Sequence, residues 1–222
     1  MNENTASSAL DSADEIPGDA VRSRIIEATF GLLMEKGYAG ASTREIARRA
    51  RVSKRELYAL FDSKEGILAA MIGGRAARMR RPLAFPEVHD RGTLRAVLTE
   101  FGESLLREGS NPAVIAIMRL AIAEAERSPD LARRLDADGR RPTRAALVML
   151  LAQAHAEGLF GDGDTEADAM AARFLALLWS DLQLGLLLRV AEPPTAEAVA
   201  QRVAGAVEAF LALYPAPLTP AG

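Results

Sequence analysis

The side chains best equipped for chemistry are a cluster of cations and one phenol, Arg44, Arg48, Lys54, Arg55 and Tyr58, within STREIARRARVSKRELYALFDSKE, residues 42–65. Their chemistry is recognition: cations neutralise phosphates, and an arginine can bridge O6 and N7 of guanine. Two polar pairs would position them. Ser42 with Glu45 and Ser53 with Glu56 fit the Ser/Thr-x-x-Glu capping box, which satisfies orphan amides at a helix N-terminus. Helices are therefore predicted to begin near Thr43 and Lys54, with only Arg51 to Ser53 left for the turn, which is the spacing of a helix-turn-helix. Ile46, Ala47, Val52 and Leu57 form the expected buried set. Glu56 has two readings, completing the cap at Ser53 or accepting from cytosine N4, of which the cap is preferred. Of Arg48 and Arg49, one is read as a solvated surface residue.

The charge is distributed unevenly. The chain of 222 residues has a net charge of -3, yet residues 22–81 hold 14 Lys/Arg against 6 Asp/Glu. Residues 1–21 hold five acids and no base, and residues 82–222 hold 13 bases against 19 acids. A basic segment between acidic ones is the footprint of a protein that docks one end on a phosphate backbone. Cysteine is absent, which excludes disulfides, thiolate chemistry and cysteine-based zinc sites. There is no apolar run of about 18 residues or more and no signal-peptide pattern, so a cytoplasmic protein without a membrane partner is expected.

Along the chain, residues 1–17 are acidic, polar and without apolar periodicity, and read as a disordered tail. A first helix is predicted from about Asp19 to Lys36, with Ile25, Ile26, Thr29, Phe30, Leu33 and Met34 on its apolar face and Gly37 as its stop. A fourth helix from about Lys64 to Arg81 would connect two domains, and residues 82–92 read as a loop. Helices follow from Leu94, from Pro112, over a short DLARRLDAD segment ended by Gly139, and from Pro142 to Gly158. The run from about Thr165 to Val190 is predicted as one helix, apolar on nearly every side, and the last helix carries Val199, Val203, Val207, Phe210, Leu211 and Tyr214. A helix apolar all round needs cover on all sides, which points to a second subunit.

The order of these features resembles the TetR family of one-component transcriptional regulators. Lys36, Gly37 and Tyr38, then Val52, Ser53, Leu57, Tyr58, Phe61, Ser63, Lys64 and Glu65, match the family's pattern around its helix-turn-helix. Residues 112–214 are similar to the effector domain of its AefR-like branch, through IAEAERSPDLARRL, AEGLF and ARFLALLWSDLQLGLLL. Two positions depart from the pattern. Arg51 stands where a turn glycine is usual, and Arg55 with Glu56 replaces a common Gly-Thr pair, which bears on the operator sequence. If the turn needs φ > 0, Arg51 costs about 1 to 2 kcal/mol there.

The resemblance implies an all-α fold. An N-terminal three-helix DNA-binding domain, residues 18–64, would be followed by a helical effector-binding and dimerisation domain, 65–214, and a flexible tail, 215–222. It implies that Ser42, Thr43, Tyr58 and Lys64 clamp phosphates of double-stranded DNA, while Arg44, Lys54 and Arg55 reach base edges. A homodimer through helices about 165–190 and 195–214 would set two recognition helices about 34 Å apart on a palindromic operator. Ligand would tilt the fourth helix, and repression released by ligand is the expected mode. Phe101, Leu105, Met118, Ile122, Leu151, His155, Phe174, Leu178 and Trp179 are the expected lining of a pocket for a small hydrophobic or aromatic effector. No cofactor or metal is expected, and no enzyme: His89 and His155 are the only histidines, neither in a ligand or acid/base spacing, and no phosphate loop is present. Asp181 in its apolar helix is read as an interface or capping carboxylate. A helical ligand-binding or interaction protein without an operator is the remaining alternative.

Overall fold

A computed structural model describes residues 17–84, 86, 88–161 and 166–217. The acidic tail expected over residues 1–17 lies outside these except for Pro17, which opens a helix. The chain divides into two compact units between Met71 and Ile72, inside the fourth helix rather than at Lys64. All regular structure among the described residues is helical.

The first unit contains α1 (Pro17–Gly40), α2 (Thr43–Ala50), α3 (Lys54–Leu60) and the start of α4 (Lys64–Arg80). Gly37 interrupts α1 with φ 69 and ψ -178, a conformation open essentially only to glycine. The buried stripe of α1 is Ile25, Ala28, Thr29, Leu32 and Leu33, a run at helical spacing. Met34, assigned to that face, is exposed, because the stripe turns away at Leu33. Ile46, Leu57, Ile67 and Leu68 complete this core with no exposed surface.

The second unit holds the rest of α4, a 3₁₀ turn (Arg81–Leu83), α5 (Arg91–Gly109), α6 (Pro112–Glu124), α7 (Asp130–Arg134), a π-helical stretch (Leu135–Arg140) and α8 (Arg141–Ala156). It ends with α9 (Ala167–Trp179), α10 (Leu182–Leu188) and α11 (Ala196–Leu213). Gly139 does not break the chain as expected: the π-helical stretch passes through it into α8. The core is aromatic. Phe101 of α5 stacks on Phe174 of α9 with ring centroids 6.3 Å apart, and Phe174 meets Phe210 of α11 edge-on at 5.3 Å. Gly102 allows the approach of these helices, since a Cβ there would stand 2.9 Å from Val203 Cγ1.

The single helix expected from Thr165 to Val190 is two helices bent by 55°. Ser180 sits at φ 43 and ψ -122, its amide donating to the Ala176 carbonyl at 2.8 Å. Arg202 reaches both sides of the break, donating to the Trp179 carbonyl at 3.5 Å and pairing with Asp181 at 3.6 Å. Arg119 of α6 holds the far end by donating to the carbonyls of Leu186 and Leu187. No single helix among the described residues is long and apolar enough to cross a membrane. Pro215, placed in the tail, accepts from the Gly161 amide at 2.9 Å, while residues 218–222 lie outside the described residues.

Candidate nucleic-acid interface

The helix starts predicted from the two Ser-x-x-Glu pairs are those observed, and the two caps differ. At α3 the Ser53 hydroxyl accepts from the Glu56 amide at 3.1 Å and the Glu56 carboxylate accepts from the Ser53 amide at 2.7 Å, a complete capping box. That hydrogen bond from the Ser53 backbone holds the Glu56 carboxyl below its usual value. At α2 the Ser42 hydroxyl accepts from the Glu45 amide at 3.3 Å, and the box stops there. The Glu45 carboxylate instead takes Lys36 at 2.7 Å and Arg48 at 2.9 Å, and those bonds lower its pKa. A lysine from α1 and an arginine one turn along outcompete the local amide.

Between the helices Arg51 takes the left-handed conformation, φ 55 and ψ 47, and its amide donates to the Arg48 carbonyl at 3.3 Å. The glycine-favouring turn is therefore real, and an arginine occupies it. Ile46, Ala47 and Leu57 are buried as expected, whereas Val52 is half-buried under the turn.

The basic residues fall into two groups. Arg49 forms a two-pronged pair with Glu35 at 2.5 and 2.7 Å, and that pairing lowers the Glu35 pKa and raises that of Arg49. Arg48 is held by Glu45. Arg44, Lys54 and Arg55 are exposed and make no hydrogen bond or ion pair among the described residues. The acids that could neutralise them are engaged elsewhere: Glu45 and Glu35 in ion pairs, Glu56 in its cap.

Tyr58 is 46% exposed, and its hydroxyl lies 3.1 Å from the Thr43 hydroxyl, so the first turn of α2 and the outer side of α3 share one hydroxyl pair. With one hydroxyl donating to the other, a single O–H remains beside the N-terminal amides of α2, and it suits a phosphate oxygen. Lys64 is placed differently from the other expected phosphate contacts. Its ammonium donates to the Tyr38 carbonyl and lies 3.7 Å from the centre of the Tyr38 ring, which ties the start of α4 to the turn after Gly37. The Tyr38 hydroxyl donates to Glu65 at 3.3 Å, completing that link.

Two arginines of α1 support the motif without a local sequence signal. Arg22 donates to the Leu60 carbonyl at 3.2 Å with its guanidinium 4.6 Å from the centre of the Phe61 ring, and Arg24 donates to the Ala50 carbonyl at 3.4 Å. Each puts a cation at the negative end of one helix of the motif, α3 and α2 respectively. Their partners lie 38 and 26 residues away, so no local pattern could disclose them.

In the second unit, Phe101, Leu105, Leu151, Phe174 and Leu178 are buried, and Met118 and Trp179 are partly buried against them. Ile122 and His155 are corrections to the expected lining. Ile122 is 63% exposed, and His155 is exposed at the edge of an α8 stripe that buries Thr143, Leu147, Leu150, Leu151 and Ala154. His155 lies beyond that stripe and faces solvent.

Comparison with known proteins matches both units. Residues 25–71 match bacterial regulatory proteins of the tetR family, and residues 96–216 match the C-terminal domain of AefR-like transcriptional repressors. Among solved structures, Flavonoid-responsive Regulator FrrA is 29% identical with a TM-score of 0.69, over 90% of this chain and 98% of that one. A TetR transcriptional regulator from Agrobacterium tumefaciens is 29% identical with a TM-score of 0.68, over 91% and 96%. The Uncharacterized HTH-type transcriptional regulator YvkB of Bacillus subtilis is 33% identical over 85 residues, 38% of this chain and 43% of its own. The match thus spans less than half the length of that curated relative. With one family match over the helix-turn-helix and a second over more than half of the chain, the protein belongs to the TetR family of transcriptional regulators.

Proposed function

We propose that this regulator is a cytoplasmic repressor that binds a palindromic operator as a homodimer and leaves it when a small hydrophobic or aromatic effector occupies the second unit. The observation that carries the reading is the division of the cations: Arg44, Lys54 and Arg55 stand exposed without protein partners on the two helices joined by the Thr43 and Tyr58 hydroxyl pair, while Arg48 and Arg49 are tied to glutamates. In this reading Ser42, Thr43 and Tyr58 hold phosphates, Arg44, Lys54 and Arg55 reach base edges, and Lys64 acts by fixing the Tyr38 turn. Dimerisation through α9, α10 and α11 is supported by Leu184 and Leu188, one turn apart on α10 and 61% and 63% exposed, and by Leu213 on α11, 59% exposed. The aromatic core around Phe101, Phe174 and Trp179 supports an apolar or aromatic effector, and one structural relative is named for its response to flavonoids. Effector would act through α4, which carries residues of both units, by favouring one spacing of the two recognition helices over the other.

The test is binding of the full chain to duplexes from around its own coding region, titrated against salt, with selection from random duplexes in parallel. Saturable binding that falls steeply with salt is expected, weakened in Tyr58→Phe and Arg55→Ala. Failure to enrich any sequence, or binding indifferent to both substitutions, would overturn the reading.

A further inference from the structure

The outward strip of α3 carries a small apolar residue that the contacts above leave unused. From Leu57, which is fully buried, residues two positions away in either direction land about 160° round the helix, directly outward, and these are Arg55 and Ala59. Both are exposed. The two sides of this strip are already occupied. Tyr58 is drawn to Thr43 on one side, and the Glu56 carboxylate is turned back to the Ser53 amide on the other. The centre of the reading face is therefore one unpartnered guanidinium and, one turn on, one methyl.

Resting on the proposed DNA-binding role, we infer that Arg55 and Ala59 together set the operator sequence, Arg55 by bridging a guanine and Ala59 by packing its methyl on the C5-methyl of a thymine. A methyl with no donor or acceptor discriminates only by apolar contact, and thymine alone among the bases presents a methyl in the major groove. Arg55 and Ala59 are separated by about 6 Å along the helix axis. That is close to two base-pair steps of about 3.4 Å. The half-site should then hold a thymine one or two steps from a guanine. An alanine at this point also lets the backbone of α3 approach the groove floor more closely than a long side chain would.

The experiment starts from the operator enriched by the wild-type chain from random duplexes. No enrichment sinks the DNA-binding reading itself. With an operator in hand, each thymine is replaced by deoxyuridine and each guanine by 7-deazaguanine, one at a time. One thymine per half-site should lose about fourfold in affinity on removal of its methyl, the effect of one buried methyl-sized group. In Ala59→Gly that loss should vanish, and in Ala59→Gln, which keeps a good helix former, renewed selection should change the preferred base at that position and no other. The neighbouring guanine should lose about tenfold without its N7 in wild type and not in Arg55→Ala. An operator indifferent to every thymine methyl overturns the inference. So does a sensitive thymine whose loss persists in Ala59→Gly, or an Ala59→Gln selection that returns the original sequence.

Discussion

The two units differ in the range over which their interactions operate. In the first, the contacts that start and join the two reading helices are short in sequence: Ser53 with Glu56, Ser42 with the Glu45 amide, the Arg51 turn. In the second, they join distant elements, as when Arg91 donates to carbonyls of Leu159, Leu211 and Tyr214, 68 to 123 residues away. A recognition surface must present particular atoms at a fixed spacing, which caps and a tight turn achieve locally. A helical bundle has only to fill its interior, and many arrangements of leucine and phenylalanine meet that demand. The first unit is therefore spelled out in motifs and the second in composition.

The sharpest way to break the comparison is to remove volume from the second unit. Phe174→Ala, at the meeting of Phe101 and Phe210 and without exposed surface, is expected to cost about 3 to 5 kcal/mol in chemical denaturation. An effect below about 1 kcal/mol would show a core loose enough to collapse onto the space. Next is Arg91→Ala, expected to cost about 2 to 3 kcal/mol by leaving carbonyls at the end of α11 without their donor. Its guanidinium pKa is lowered chiefly by burial, so the charge is itself held against solvation loss by those carbonyls. Should Arg91→Ala melt like wild type, long-range polar ties would not distinguish the second unit.

The first unit should respond more gently. Arg51→Gly removes a left-handed arginine and is expected to stabilise by about 0.5 kcal/mol, the relief of about 1 to 2 kcal/mol being offset by the greater freedom of glycine in the unfolded chain. A lower melting midpoint for this variant would mean the arginine makes a favourable contact that outweighs its strain. The smallest effect is a pH dependence. The Glu56 carboxyl is held below its ordinary value, so the cap it forms stabilises above that value and is lost as pH falls through the lower folded-state pKa. Glu56→Gln should melt below wild type near neutrality, and the two melting temperatures should converge as pH falls through the lowered folded-state pKa of Glu56. Parallel curves over the whole range would show that the carboxylate's charge contributes nothing to the cap.

The sequence shows its limits at particular residues. Met34 sits beside a true core stripe and its spacing does not separate it from that stripe, because an amphipathic helix offers apolar residues at the margin of its buried arc, and only the neighbours decide which side of the margin is covered. His155 lies outside the buried arc for the same reason, one residue past Ala154. The long apolar run over α9 and α10 read as one helix because nothing in its composition marks Ser180, whose strained backbone is held by Arg202 and, beyond it, by Arg119. Arg22 and Arg24 gave no signal because a cation at the end of a helix is visible only when the helix it serves has been placed.

By itself the sequence determined the helix starts at Thr43 and Lys54, a turn over Arg51 to Ser53, the outward set Arg44, Arg48, Lys54, Arg55 and Tyr58, and an all-helical chain of this family. Each follows from atoms a few residues apart, where side chain and backbone compete for the same hydrogen bonds. Tertiary structure alone decided which cations stay unpaired, that Glu45 serves Lys36 rather than its own cap, that Lys64 holds the Tyr38 carbonyl, and where the apolar run bends. Those choices turn on partners in other helices and turns, 9 to 26 residues away, and a linear pattern carries no distance between them until the chain has folded.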